Sequence, residues 1–324
     1  MKTRHLIPAF FLALAASPLM ADAPRVWMDT DRGPILLELD PERAPDHVGN
    51  FLGYVNDGFY DGLILHRSIQ GFVVQGGGYD RDFFRRQPTR PAVPGAPNNG
   101  LPNERGSLAM AQLGGDINSA REQFFINMDE NDFLDADFTV FGRVIAGLRV
   151  VEAINEERAV RKQIGANVFD DVPVRPPLIR RAVETRGFPI MPLHSGSWFD
   201  PNTNGTGFNI EVTNDASTED GPLLVVYWYD FRDGQKIWAT GLERFDFGAS
   251  EVTVELIAAD EPGAAVDFRQ PPDFEAFDTW GSVTIRFQDC RNGQFDYDTV
   301  DLGSGRIDVT RLTLPDQASC DALD

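Results

Sequence analysis

The chain has 324 residues, 50 acidic against 29 basic for a formal net charge of −21, and 42% hydrophobic content. That length is about twice the usual domain, so two cores are expected, and the acidity, concentrated from residue 188 onward, makes nucleic acid and anionic lipid poor partners for the C-terminal part. Its 30 Gly, 22 Pro and 24 Phe favour turns and aromatic-rich strands over long helices.

Residues 1–21 have the form of a signal peptide. Lys2, Arg4 and His5 make a basic start, Leu6 to Ala16 an apolar stretch, and small residues follow, with Ala21 the best cleavage position. Cleavage after Ala23 would leave Pro24 first, which a signal peptidase disfavours. The apolar run falls short of the ~20 residues a spanning helix needs, and no cysteine stands nearby for lipidation. An exported protein with no membrane span is expected, periplasmic, with secretion as the alternative.

Residues 22–187 read as one domain. Val26 to Leu39 reads as a hairpin, with Asp31, Arg32 and Gly33 in the turn and Ile35, Leu37 and Leu39 alternating inward. Pro45 to Val55 reads as a helix with Val48, Phe51, Leu52 and Val55 on one face. Strand-like runs follow at Leu63–Arg67, Phe72–Gln75, Ser107–Gln112, Gln123–Met128 and Thr139–Val144, then a short helix over Leu148–Ile154. A last strand over Pro173–Val183 contains Pro176 and Pro177 and so belongs at an edge. Short strands with two short helices suggest a β-barrel plugged at its ends.

Residues 188–192 read as a compact linker carrying two prolines, and residues 193–324 as an acidic all-β domain. Its strand candidates are Phe208–Val212, Leu223–Tyr229, Lys236–Arg244, Glu251–Ile257, Ser282–Gln288, Gln294–Thr299 and Arg306–Leu312, a sandwich or small barrel. From residue 188 onward, 25 acidic residues face 8 basic ones, a net of −17 that suits solubility. Cys290 and Cys320, the only cysteines, could pair in an oxidising compartment for about 3–4 kcal/mol, or stand as two buried thiols. Their spacing fits neither a zinc site nor a redox motif, and no metal or cofactor is expected.

Two local patterns in this second domain carry alternatives. Asp200, Asn202, Asn204, Gly205 and Glu211 match the spacing of an EF-hand calcium loop, but Pro201 and strand-like flanks favour an Asn/Gly-rich turn. Trp228, Tyr229 and Trp238 read as core aromatics or as a platform for carbohydrate or peptide.

The segment Leu65-His66-Arg67-Ser68-Ile69-Gln70-Gly71-Phe72-Val73-Val74-Gln75-Gly76-Gly77-Gly78 resembles the signature of cyclophilins. The resemblance extends over residues 24–186, through Ala44-Pro45, Asn50-Phe51, Leu108-Ala109-Met110-Ala111, Ser119, Gln123-Phe124-Phe125-Ile126, Phe133-Leu134-Asp135 and Val140-Phe141-Gly142. Asn99-Gly100-Leu101, Asn103, Arg105-Gly106 and Phe125-Ile126-Asn127 are similar to the bacterial periplasmic branch. The resemblance implies a mainly β fold, a closed antiparallel barrel capped by two short helices, and peptidyl-prolyl cis-trans isomerase activity on proline-containing polypeptides. It implies Arg67 as the catalytic arginine and Gln75 as its brace. Phe72, Val73, Phe125, Leu134 and Phe138 would wall the proline slot, with Phe133 at its rim. Backbone groups near Ala111 and Gln112, together with Gln123, would hold the peptide on either side.

The chemistry explains these residue types. Rotation about an X-Pro amide breaks resonance against a barrier of about 20 kcal/mol, and no bond to carbon is cut. Neither nucleophile nor metal is needed. A guanidinium can donate to the nitrogen lone pair that appears in the twisted amide. His66 reads as structural, and Gly76-Gly77-Gly78 as a turn, since no Lys-Ser/Thr ending follows it.

The chain departs from the best-known members at Phe138 for histidine, Val73 for methionine, Gln112 for asparagine, Leu113 for a small residue, and Phe133 for the tryptophan of cyclosporin-sensitive members. Weak cyclosporin binding is expected. In the second domain, Ser195-Gly196-Ser197-Trp198, Gly205-Thr206-Gly207-Phe208, Val226-Tyr227-Trp228-Tyr229 and Trp280-Gly281-Ser282 resemble β-rich modules of exported proteobacterial proteins, which imply no function. The reading is therefore an isomerase of exported clients. The alternative is a catalytically weak proline-binding or chaperone module docked to envelope partners through the C-terminal domain. Arg67, Gln75 and Phe125 together favour the enzyme.

Overall fold

The computed structural model describes residues 23–203, 205–213, 221–232, 234–259 and 277–313. The signal segment with Ala21, Asn204 and Cys320 lie outside the described residues. The first unit contains β1 (Arg25–Thr30), β2 (Gly33–Leu39), α1 (Pro45–Asn56), β3 (Arg67–Ile69), β4 (Val73–Gly76), β5 (Ser107–Met110), β6 (Phe124–Asn127), β7 (Val140–Ala146), α2 (Leu148–Glu156), β8 (Ala159–Ile164), β9 (Asn167–Pro173) and β10 (Ile179–Thr185). Eight of these strands form one sheet in the order β10-β1-β2-β7-β5-β6-β4-β3. Its two ends meet at a single bridge, Ile64 to Leu178, flanked by Leu65 N–H to Pro177 O and Ile179 N–H to Leu63 O.

Alternation assigns each strand two faces. Met28, Ile35, Leu37, Val74, Leu108, Met110, Phe124 and Ile126 point inward and pack on Phe51 and Tyr54 of α1 and on Leu148, Val151 and Ile154 of α2. Pro45 opens α1, where a missing N–H costs nothing. Gly147 precedes α2 at φ +82°, and a Cβ there would overlap Pro34 O, so glycine is required.

The outer face of the sheet is divided. Over β1, β2 and β7, Trp27, Leu36 and Ala146 lie in register across the strands and are buried beneath the second unit. Over β4, β5, β6 and β7, Val73, Ala109, Phe125 and Val140 form a separate apolar cluster.

The second unit is a closed barrel of β11 (Gly196–Phe199), β12 (Gly207–Thr213), β13 (Leu223–Arg232), β14 (Gln235–Arg244), β15 (Glu251–Ala259), β16 (Phe277–Phe287), β17 (Asn292–Thr299) and β18 (Gly303–Arg311). The seven expected strands are all present, and β11 is the eighth that closes the ring. Trp228 lies in the core, whereas Tyr229 and Trp238, paired across β13 and β14, face outward. Asp200 accepts hydrogen bonds from Asn202 N–H and Thr203 Oγ1 in an Asx turn, and Glu211 sits exposed on β12. Cys290 is buried and disulfide-bonded.

The compact linker 188–192 is packed against the second unit: Phe188, Ile190 and Met191 are buried, and Ile190 N–H donates to Ala249 O. Two sequence expectations need correction. The run Pro173–Val183 holds a strand only from Ile179 onward: Pro173 ends β9, Pro176 and Pro177 lie in the connection, and β10 is an end strand of the sheet order, as expected. The run Leu63–Arg67 enters the β3–β4 ladder only at Arg67, since Leu63 and Leu65 bond to the segment leading into β10. The β8–β9 hairpin was not anticipated. Among the described residues no helix is long and apolar enough to cross a membrane.

Candidate active site

Direct cross-strand partners build the site. Arg67 on β3 lies opposite Gln75 on β4, Gln75 opposite Phe125 on β6, and Phe125 opposite Ala109 on β5. Strand period two therefore places all four on the outer face, in one row from a cation to an apolar floor. Arg67 Nη1 donates to Gln75 Oε1 at 3.2 Å.

Two cavities flank this row. The apolar one, of about 280 Å³, is lined by Arg67, Phe72, Val73, Gln75, Ala111, Gln112, Phe125, Leu134 and Phe138. Phe125 and Phe138 meet edge-on with centroids 5.5 Å apart, so the cavity has rigid aromatic walls. Phe133 stands outside it on the rim, 65% exposed and stacked on Phe72 at 5.8 Å. The turn carrying Phe133 and Leu134 is held from behind by buried amides: Asn131 Nδ2 donates to Phe72 O and to Asn127 Oδ1, and Asn127 Nδ2 to Asn103 Oδ1 and Ser107 Oγ.

The second cavity, of about 570 Å³, shares Arg67, Gln75, Ala111 and Gln112 with the first. Gln123 lies here. Its far wall is the β8–β9 hairpin, where Asp171, at φ +57°, brings Oδ2 to 3.9 Å from Arg67 Nε. His66 is buried behind Arg67, edge-on to Tyr79 at 4.8 Å. Burial, with the Arg67 charge second, lowers its pKa to about 4, so the ring is neutral at ordinary pH.

Nine candidates thus share the apolar cavity, Gln123 joins from the adjoining one, and Phe133 guards the rim. Residues missed in the sequence are Asp171, Glu122 and Asn131. Asn103 and Asn127 fall within the blocks that carry the resemblance, with no role read for them, and Asn131 stands beside such a block, a signal that could have found it. Asp171 follows a charged stretch without alternation and carries no such signal.

A family model for the cyclophilin type peptidyl-prolyl cis-trans isomerase matches residues 25–184, from β1 into β10. Peptidyl-prolyl cis-trans isomerase A of Dickeya dadantii is 40% identical over 181 residues, covering 54% of this chain and 90% of that protein. Peptidyl-prolyl cis-trans isomerase B of Escherichia coli is 39% identical over 137 residues, covering 40% of this chain and 82% of its own. A crystal structure of a Cryptosporidium parvum cyclophilin type isomerase in the presence of the dipeptide Ala-Pro aligns with 49% of this chain and 97% of its own, at 23% identity and a TM-score of 0.41. On the family match and the two bacterial relatives, the chain belongs to the cyclophilin family and is a peptidyl-prolyl cis-trans isomerase.

Proposed function

We propose that this isomerase works without covalent chemistry, Arg67 donating to the prolyl nitrogen while the ring sits against Phe125. The observation that carries the reading is the placement of one guanidinium at the junction of both cavities, braced by Gln75. A proline ring fits the apolar cavity, the chain before it runs along the larger one, and the amide between them passes Arg67. In the planar amide the nitrogen lone pair is delocalised and accepts poorly. In the twisted state it is localised and accepts well, so the bond is made chiefly in the transition state. A charge-assisted hydrogen bond contributes about 1.5–3 kcal/mol, or about 10- to 150-fold in rate. Phe72, Val73, Leu134 and Phe138 hold the ring and exclude water.

The test is Arg67→Lys. Lysine keeps the charge but loses the planar fork and its fixed donors, so kcat is expected to fall at least ~10-fold. Full activity with lysine would contradict the donor geometry.

The clients are exported proteins with X-Pro bonds, met in the periplasm after cleavage near Ala21. Support comes from the basic-then-apolar start of the chain and from the disulfide on Cys290, a bond that persists in oxidising compartments. The mature protein recovered from a periplasmic fraction is expected to begin at Asp22; recovery of the unprocessed chain from cytoplasm would contradict this. Docking of the acidic barrel to an envelope partner belongs to the same proposal. Retention of the full chain on isolated envelope supports it, and a freely soluble full chain counts against it.

A further inference from the structure

We infer that Glu122 is a positioning residue of the isomerase, its buried carboxylate setting the direction of a hydrogen-bond chain that ends on Arg67. The inference rests on the reading of Arg67 given above. The chain is continuous. Arg67 Nη1 donates to Gln75 Oε1 at 3.2 Å, Gln75 Nε2 to Gln123 Oε1 at 3.1 Å, and Gln123 Nε2 to Glu122 Oε1 at 3.3 Å. The same carboxylate oxygen accepts from Arg85 Nη2 at 3.3 Å.

A glutamine amide has a donor and an acceptor of nearly equal size and can point either way. Two amides in series could therefore run in two senses, and only one presents an oxygen to Arg67. The termini decide between them. Arg67 can only donate and an ionised carboxylate can only accept, so both ends demand the same sense. With a neutral group at position 122 the far end would tolerate either sense, and Arg67 alone would be left to hold Gln75 Oε1 in place.

The carboxylate is built in. The Glu122 side chain is 3% exposed, and its stretch of backbone is pinned by Tyr60 Oη donating to Glu122 O at 2.8 Å and Asn50 Nδ2 donating to Arg121 O at 2.5 Å. Gly78 leaves room for the middle of the chain: a Cβ there would stand 2.7 Å from Gln123 Cδ and Nε2. A second role is visible, since the Arg85 pair also ties Glu122 to the loop before it. The test must separate that structural role from positioning.

Kinetics of the full chain on a short X-Pro peptide are measured for wild type, Arg67→Ala, Glu122→Gln, Gln75→Ala and the double variant of the last two. Glu122→Gln is expected to lower kcat about 3- to 10-fold with KM within about twofold, and to change kcat by less than about twofold once Gln75 is alanine. The Arg67 Nε–H resonance is expected to be sharp in wild type and broadened in Glu122→Gln. Equal losses in both backgrounds would mean a structural role and overturn the inference. So would unchanged kcat in folded Glu122→Gln while Arg67→Ala is inactive. Activity that survives Arg67→Ala sinks the parent reading instead, whatever Glu122 does. If Glu122→Gln does not fold, Glu122→Asp retains the charge opposite Arg85 but draws the acceptor away from Gln123. The same loss of kcat is then expected, and its absence overturns the inference.

Discussion

Replacing Trp27 with alanine removes the largest side chain in the row that joins the two barrels. Trp27 is 1% exposed, faces away from the first core, and meets Phe247 of the second unit at 5.4 Å between ring centroids. Arg181 lies 3.8 Å above the same Phe247 ring, and Thr185 Oγ1 donates to Gly248 O at 2.6 Å. The hole is thus walled on both sides and cannot collapse freely, which puts the cost at about 3–5 kcal/mol, the range for large aromatic truncations in cores. With a urea m-value of about 2 kcal/mol/M, the midpoint should drop by roughly 1.5–2.5 M. Trp27 lines neither cavity of the site, so kcat/KM of the folded variant should match wild type. Urea unfolding followed by far-UV circular dichroism, alongside the isomerase assay, checks both. A midpoint shift below about 0.5 M would refute the shared core, because even a partly exposed tryptophan is worth more. A Trp27→Ala/Phe247→Ala cycle should return a coupling of about 0.5–1.5 kcal/mol.

Cyclosporin should bind weakly, since Phe133 at the exposed rim offers no N–H; submicromolar inhibition would contradict this. Asp171→Ala should change kcat/KM by less than about fivefold, because the pair with Arg67 spans 3.9 Å with the partners 37% and 45% exposed and such pairs contribute about 0–1 kcal/mol. His66, held near pKa 4 by burial, should leave kcat/KM flat between about pH 5.5 and 8; a step near pH 6.5 would contradict its placement. Burial, and next the Arg311 charge, lower His194 to about 3. Its contribution to stability is complete above the unfolded value of about 6.5 and is lost as pH falls toward 3, since the unfolded chain takes up the proton first. In His194→Phe the slope of unfolding free energy against pH between about 6 and 4 should be shallower by up to one proton, about 1.4 kcal/mol per pH unit; an unchanged slope would mean the ring is not buried neutral.

How far the sequence could be read depended on whether one strand at a time carried the signal. Ile35, Leu37 and Leu39 alternate along a single strand, and that was enough to orient the hairpin. The row from Arg67 through Gln75 to Phe125 needs three strands in register. No period along the chain reveals it, so it was accessible only through the family resemblance. The seam was written in the sequence but not recognised. Trp27 and Leu36 occupy the positions where a solvated face would carry polar residues, and two apolar partners opposite each other signal a second layer. The β8–β9 hairpin escaped because Arg161, Lys162 and Gln163 are exposed and its apolar residues Ile164, Phe169 and Val172, which pack with Ile64 and Phe83, do not alternate along the chain. Nothing in the sequence marks Glu122; only the fold shows it buried beside Gln123.

The most direct test of the account is exchange NMR on a short X-Pro peptide, comparing the mature wild type with Arg67→Ala. Acceleration by wild type with a loss of about 10- to 150-fold in the variant, more where water enters the emptied site, is the expected result. Wild-type acceleration that survives the substitution would contradict the role given to Arg67.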